Sequence, residues 1–286
     1  MINRYGLKRR TLSPLVVGFA ALGLTAACTG GLSAPYTGPE PAPSPLVQWP
    51  TPSGNHPVDN PIWVNGVMDG KMQRFFGVDE HGTASQAEGQ EPLFNIADGG
   101  TLKNAILGFP AADGIHCRGS CTLENVWWDR VGEDAATFRG QTDDDIMLIK
   151  GGGASGARDK VFQSNQRGTM IIQGFYVEWF GKLFRSCGNC SRQSPRHVIV
   201  ENVTAVAGPD SDALVGVNIN YGDTAEFRGV NTVYDTAGDM PVCLMYEGNN
   251  VGAEPKKLGE GSNGENCIRV NDNVNVIKEY GGLPDY

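Results

Sequence analysis

Basic residues are scarce in this chain. Its 286 residues hold 23 lysines and arginines against 32 aspartates and glutamates. A general nucleic-acid binder would show the reverse balance, with a basic patch and a high pI. A membrane-spanning run is missing as well: the apolar stretch Leu15 to Ala27 falls well short of the ~20 residues a transmembrane helix needs. A phosphate loop is also absent, because Gly151-Gly152-Gly153 and Gly156 lack the downstream lysine at the required spacing and read as a coil corner. What the chain has in abundance is glycine, 39 of 286 residues, roughly twice the usual share. That much glycine disfavours long helices and suits short strands joined by tight turns.

The N-terminus reads as an export signal. Arg4, Lys8, Arg9 and Arg10 form a basic segment, Leu15 to Ala27 an apolar one, and Thr25-Ala26-Ala27 precede Cys28. That ending resembles a bacterial lipobox, although Thr25 stands where leucine is usual. The expectation is therefore a signal peptide over 1–27, with acylation at Cys28 anchoring a secreted or cell-surface protein. Its loss takes away four bases and no acid, changing the formal net charge from −9 to −13. Six further cysteines, Cys117, Cys121, Cys187, Cys190, Cys243 and Cys267, make an even set that suits disulfides in an exported chain. Proximity favours pairing each with its sequence neighbour, with Cys117/Cys121 and Cys187/Cys190 as a zinc site the rival reading. Residues 28–61, rich in proline, glycine and serine, read as an extended linker. The folded domain is expected over 62–286.

Inside that domain six β-prone runs begin at Thr101, Thr122, Asp145, Thr169, His197 and Thr224. A period above ~20 residues fits a solenoid in which each coil adds one rung to parallel sheets. The predicted class is all-β, a single-stranded right-handed parallel β-helix, against a β-sandwich as the rival. Asn104, Asn125 and Asn202 recur at one bend and could stack as an amide ladder.

Aligning the second strand of each coil puts Asp113, Asp134, Lys160 and Lys182 in one column. Glu133 sits beside it, and Arg139 and Arg185 lie a few residues on. Rungs are ~4.8 Å apart, so these residues become neighbours. Such a column could be a solvated salt-bridge ladder. It could also be chemical: three carboxylates suit calcium, and a lysine crowded by Lys182 and Arg185 would have its pKa lowered. Cation, lysine and arginine together suit proton removal alpha to a carboxylate, followed by elimination. Asp143-Asp144-Asp145 reads as a solvated turn, His116 and His197 as structural, and Trp127, Trp128, Trp179 and Tyr176 as core aromatics.

Five motifs occur in order: Ala112-Asp113-Gly-Ile-His-Cys117, Val131-Gly-Glu133-Asp134-Ala135, Asp159-Lys160-Val-Phe-Gln163, Phe180-Gly-Lys182-Leu-Phe-Arg185-Ser-Cys-Gly-Asn-Cys190 and Asn220-Tyr-Gly-Asp-Thr224. Together they resemble polysaccharide lyase family 3 pectate lyases over roughly residues 62–280. The resemblance implies a monomeric, calcium-dependent enzyme that cleaves polygalacturonate, or low-methyl-ester pectin, by β-elimination to unsaturated oligogalacturonides. It implies calcium ligands at Asp113, Glu133 and Asp134 and a catalytic lysine at Lys160, with Arg185 in the same machinery. Substrate contacts fall at Lys182, Arg139 and Glu88. Arg139 departs from the lysine common in that family, which bears on substrate fit. A polygalacturonan hydrolase and a non-catalytic glycan-binding β-helix are the alternatives.

Overall fold

The computed structural model describes residues 46–87 and 89–279; the leader, Cys28 and Glu88 lie outside them. Among the described residues the fold is almost entirely β, with helix confined to two single 3₁₀ turns and the short Val270–Asn273 segment. The strands stack coil upon coil in parallel register and form three ladders. Parallel crossovers are right-handed in nearly all cases. The chain is a parallel β-helix.

One ladder runs through Thr101–Lys103, Cys121–Glu124, Ile146–Lys150, Gly168–Gln173, Arg196–Glu201 and Thr224–Arg228. Its strands alternate: in Gly168–Gln173, Met170 and Ile172 are buried while Thr169, Ile171 and Gln173 are half-exposed. Period-two patterning of this kind puts one face on the core and one in water. Of the predicted starts, Thr101 pairs with Thr122, and Thr169, His197 and Thr224 pair in sequence, but the two sets are offset by two residues because Leu148, the partner of Thr122, pairs with Ile171. Asp145 is displaced, since Thr122 pairs with Leu148. The reason is local: the Asp145 carboxylate accepts the backbone N–H groups of Gln141 and Thr142 and the Thr142 hydroxyl, so Asp145 closes a turn ahead of the strand.

A second ladder includes Val126–Trp128, the start of Gly153–Ser164, the start of Tyr176–Ser186, Thr204–Val206 and Asn231–Tyr234. The bend between these two ladders requires left-handed backbone, which asparagine tolerates better than most residues. Asn104, Asn125 and Asn202 all have φ near +53°. Asn125 Nδ2 donates to Asn104 Oδ1 at 2.8 Å, so the amide ladder forms between those two. Asn202 does not join it; glycines Gly151, Gly152 and Gly174 occupy the intervening corners, and its Oδ1 accepts the Val230 N–H instead.

The third ladder positions the site. It stacks Ile62–Val64, Phe94–Ile96, Ile115–Cys117, Asp134–Phe138, Lys160–Ser164, Lys182–Ser186, Ala213–Asn218 and Cys243–Glu247. Asp134–Phe138 and Ala213–Asn218 are buried at every position. Both faces are covered, as expected of strands that do not alternate. Inside the coils Trp128, Phe162 and Phe175 pack ring to ring at 5.1–6.3 Å. Trp128 and Tyr176 are core residues, and Trp127 packs under Trp49 at 5.2 Å.

Regular structure starts earlier than residue 62. Asn55–Val58 pairs with Arg74–Gly77, and His56 packs on Phe75. Pro57 is tolerated because this is a terminal edge strand, where a missing N–H leaves no ladder bond unmade. The three disulfides are Cys117–Cys121, Cys187–Cys190 and Cys243–Cys267, so these sulfurs are not thiolates available to zinc.

Candidate active site

The third ladder delivers the predicted column in register. Ile115 faces Ala136, Asp134 faces Lys160, and Lys160 faces Lys182. Gly132 and Gly181 each precede a site residue at the turn into this ladder. A Cβ at either would sit 2.2 Å from a carbonyl oxygen of the previous rung, Ala112 O or Asp159 O. Only glycine permits that approach, and it seats Glu133, Asp134 and Lys182 directly above their neighbours.

Asp113, Glu133 and Asp134 are all buried, and one carboxylate oxygen from each lies within 4.8 Å of the others. Burial pushes the Asp134 carboxyl well above its ordinary pKa; Lys160 opposes this, while Glu133 and Asp113 add to it. Among the described residues neither Asp134 oxygen accepts a hydrogen bond; its cation is Lys160 Nζ, 3.6 Å from Oδ1. Buried, oxygen-only donors at this spacing fit a hard divalent cation such as calcium.

Lys160 is buried, with Nζ also 3.8 Å from Glu133 and in contact with Asp159. Burial alone would lower its pKa, but Asp134, Asp159 and Glu133 outweigh it and raise the group above the ordinary value. This reverses the lowering expected from crowding by Lys182 and Arg185. Lys182 Nζ is turned onto Asp212, one rung further along, so its charge is already paired.

Arg185 is almost fully buried and, among the described residues, has no carboxylate within 4.0 Å. Its Nη1 donates to Asn218 Oδ1 at 2.9 Å, and its guanidinium stands 4.1 Å over the Tyr246 ring. Burial lowers its pKa. An arginine held by neutral partners retains its charge for an anion. Asn218 is fixed in turn: its N–H donates to Asp223 Oδ2 at 2.9 Å and its Nδ2 to Cys187 O at 3.1 Å. The Asn220–Thr224 motif thus supports Arg185 from behind.

Arg139 lies against His116, Nη2 to Nε2 at 3.3 Å. His116 Nε2 is also 2.7 Å from Asp113 Oδ2, so this histidine touches the acidic cluster. Burial, then Arg139 and Arg118, hold its pKa down to about 3. His197 is structural, bonded to Thr224 on the next rung at 2.8 Å. Sequence reasoning missed Asp212, which lies immediately before Ala213, the rung partner of Lys182. It also missed Tyr246 and Asn218, which carry no spacing signal.

The comparisons with known proteins agree. A family model described as pectate lyase matches residues 47–252. A protein of Emericella nidulans named "Probable pectate lyase D" is 48% identical over 201 residues, 69% of this chain and 72% of its own length. The catalytic domain of pectate lyase PelI from Erwinia chrysanthemi superposes with a TM-score of 0.65 at 33% identity, covering 79% of this chain and 98% of that one. The same enzyme in complex with tetragalacturonic acid superposes with a TM-score of 0.62 at 33% identity, over 79% of this chain and 71% of that one. With its fold, its carboxylate column and these relatives in agreement, the chain belongs to the pectate lyase family.

Proposed function

We propose that this pectate lyase is calcium-dependent and cleaves polygalacturonate by β-elimination, with Lys160 as the base. The observation that supports this best is the contact of a buried lysine with a three-carboxylate cluster on adjacent rungs. Asp113, Glu133 and Asp134 would hold the ion. A calcium ion there would supply the charge that acidifies the proton alpha to a uronate carboxylate and would offset the carboxylates that keep Lys160 protonated. Arg185, which has no carboxylate partner among the described residues, would engage the substrate carboxylate, its plane set by Tyr246 and Asn218. Arg139, and Lys182 once substrate draws it from Asp212, would extend the cationic surface that a chain of net charge −9, or −13 without residues 1–27, needs to attract a polyanion. Lys160 would take the carbon-5 proton, the bond to the carbon-4 oxygen would break as the carbon-4–carbon-5 double bond forms, the departing oxygen would take a proton from water, and an unsaturated uronide would leave. Only neutral Lys160 can accept that proton, so the rate should climb through the alkaline range.

An inverting hydrolase would need two carboxyl groups about 6.5–9.5 Å apart with water between them. The acids here converge within 4.8 Å instead. The test is ultraviolet absorbance on polygalacturonate with calcium and with chelator. Reducing ends without absorbance would favour hydrolysis. We further infer export as a monomer, by the leader over 1–27, with acylation at Cys28; three disulfides suit that oxidising route. Mass spectrometry of the mature N-terminus tests the acylation.

A further inference from the structure

We propose that His116, oriented by Arg118, is a positioning residue that holds Asp113 in place for cation binding; the proposal rests on the calcium reading above. A carboxylate ligand turns freely about its terminal torsion unless a neighbour restrains it, and such restraining partners commonly set metal affinity. Asp113 lies in a tight turn between Ala112 and Gly114, both at positive φ. His116, three residues on, is buried and places Nε2 2.7 Å from Asp113 Oδ2.

The ring's tautomer follows from its other nitrogen. Arg118 Nη2 is 3.3 Å from His116 Nδ1. Arginine can only donate, so Nδ1 accepts and the ring proton resides on Nε2. That N–H then donates to Asp113. Arg118 is fixed in turn, because Nε and Nη2 both donate to Asn95 Oδ1, at 2.8 and 2.6 Å. Asn95 is buried and is the rung partner of His116. With Nε2 protonated, the nearby Arg139 Nη2 cannot donate to it. Arg139 acts there only as a second like charge that keeps the ring neutral. The chain Asn95, Arg118, His116, Asp113 therefore crosses from one rung to the next and ends on a carboxylate of the cation cluster. Its purpose is geometric: one oxygen of Asp113 is pinned, and the carboxylate is held toward Glu133 and Asp134.

The test is calorimetric titration of calcium chloride into chelator-stripped wild type, H116A, H116Q and R118M, with melting in EDTA as the fold control. The side-chain amide introduced by H116Q could present a donor near the place of imidazole Nε2. H116A is expected to weaken calcium binding about 10–100-fold, with H116Q recovering most of it. R118M keeps the ring but frees its tautomer, and is expected to weaken binding several-fold. Calcium binding within twofold of wild type in H116A, or in R118M should H116A fail to fold, overturns the proposal while leaving the calcium reading intact. A wild type that binds no calcium overturns both.

Discussion

Replacing Lys160 with methionine separates its two duties. The side chain keeps much of its length but loses the ammonium that sits 3.6 Å from Asp134 and 3.8 Å from Glu133. At an effective dielectric of ~20 a pair at that distance attracts by about 4–5 kcal/mol gross, and removing one partner of a buried pair costs about 3–5 kcal/mol net. Asp134 can relieve part of this by taking up a proton, so about 3 kcal/mol is the working figure. In a domain of this size that corresponds to roughly 6–12 °C of melting temperature. K160M should therefore melt lower than wild type in EDTA. Calcium should raise its melting temperature by more than it raises that of wild type, because no competing cation remains beside the acids. Turnover should fall by about 10²–10⁴, the range of a lost general base. The pH dependence has a fixed sign. Lys160 is raised in the folded state, so its stabilising contribution is complete below the unfolded lysine pKa and is lost as pH rises through the folded one. The difference between K160M and wild type in EDTA should hold at neutral pH and shrink only in strong alkali. Equal melting in EDTA, or more than a tenth of wild-type turnover, would refute this reasoning.

Glu178 is buried, its pKa raised mainly by desolvation although Tyr176 donates to it at 2.6 Å; E178Q should be the more stable protein at neutral pH, with the gap narrowing as pH falls through the raised folded value and closed once pH is below the unfolded glutamate value, as read by denaturant titration across pH. Removing Cys243–Cys267, which spans 24 residues, should cost about 3.5 kcal/mol in urea unfolding, against about 2 kcal/mol for Cys117–Cys121, which spans 4. R185K keeps the charge but loses the planar fork and its stacking on Tyr246; kcat/KM should drop roughly tenfold, mostly through KM, as expected for ~1–2 kcal/mol of lost substrate contact.

The third ladder was legible because its strands enter at nearly constant distance from each coil start, so Asp113, Asp134, Lys160 and Lys182 could be aligned by counting. The first ladder failed at Asp145, where an acid that looks like the start of a strand is the closing residue of a turn. Both outcomes reflect the same physics: apolar alternation fixes which face a residue takes, but a side chain that hydrogen-bonds its own backbone shifts the register without altering the pattern. Charge was harder to read. Counting placed Lys160 among cations, whereas Lys182 turns away to Asp212 and Asp159 turns in. Side-chain direction decided the sign of the shift, and no spacing rule encodes it. His116 was read as structural because it sits at a strand edge; its part in the site depends on Asp113 lying in a tight turn beside it.

The most direct measurement is the appearance of unsaturated-uronide absorbance on polygalacturonate at alkaline pH, run in parallel with wild type and K160A, each with calcium and with excess chelator. Wild type with calcium should give a steady rise, while wild type with chelator and K160A under either condition should stay near baseline. Chelator-resistant absorbance from wild type, or a rise from K160A above a tenth of the wild-type rate, would contradict elimination by Lys160 beside a calcium-loaded carboxylate cluster.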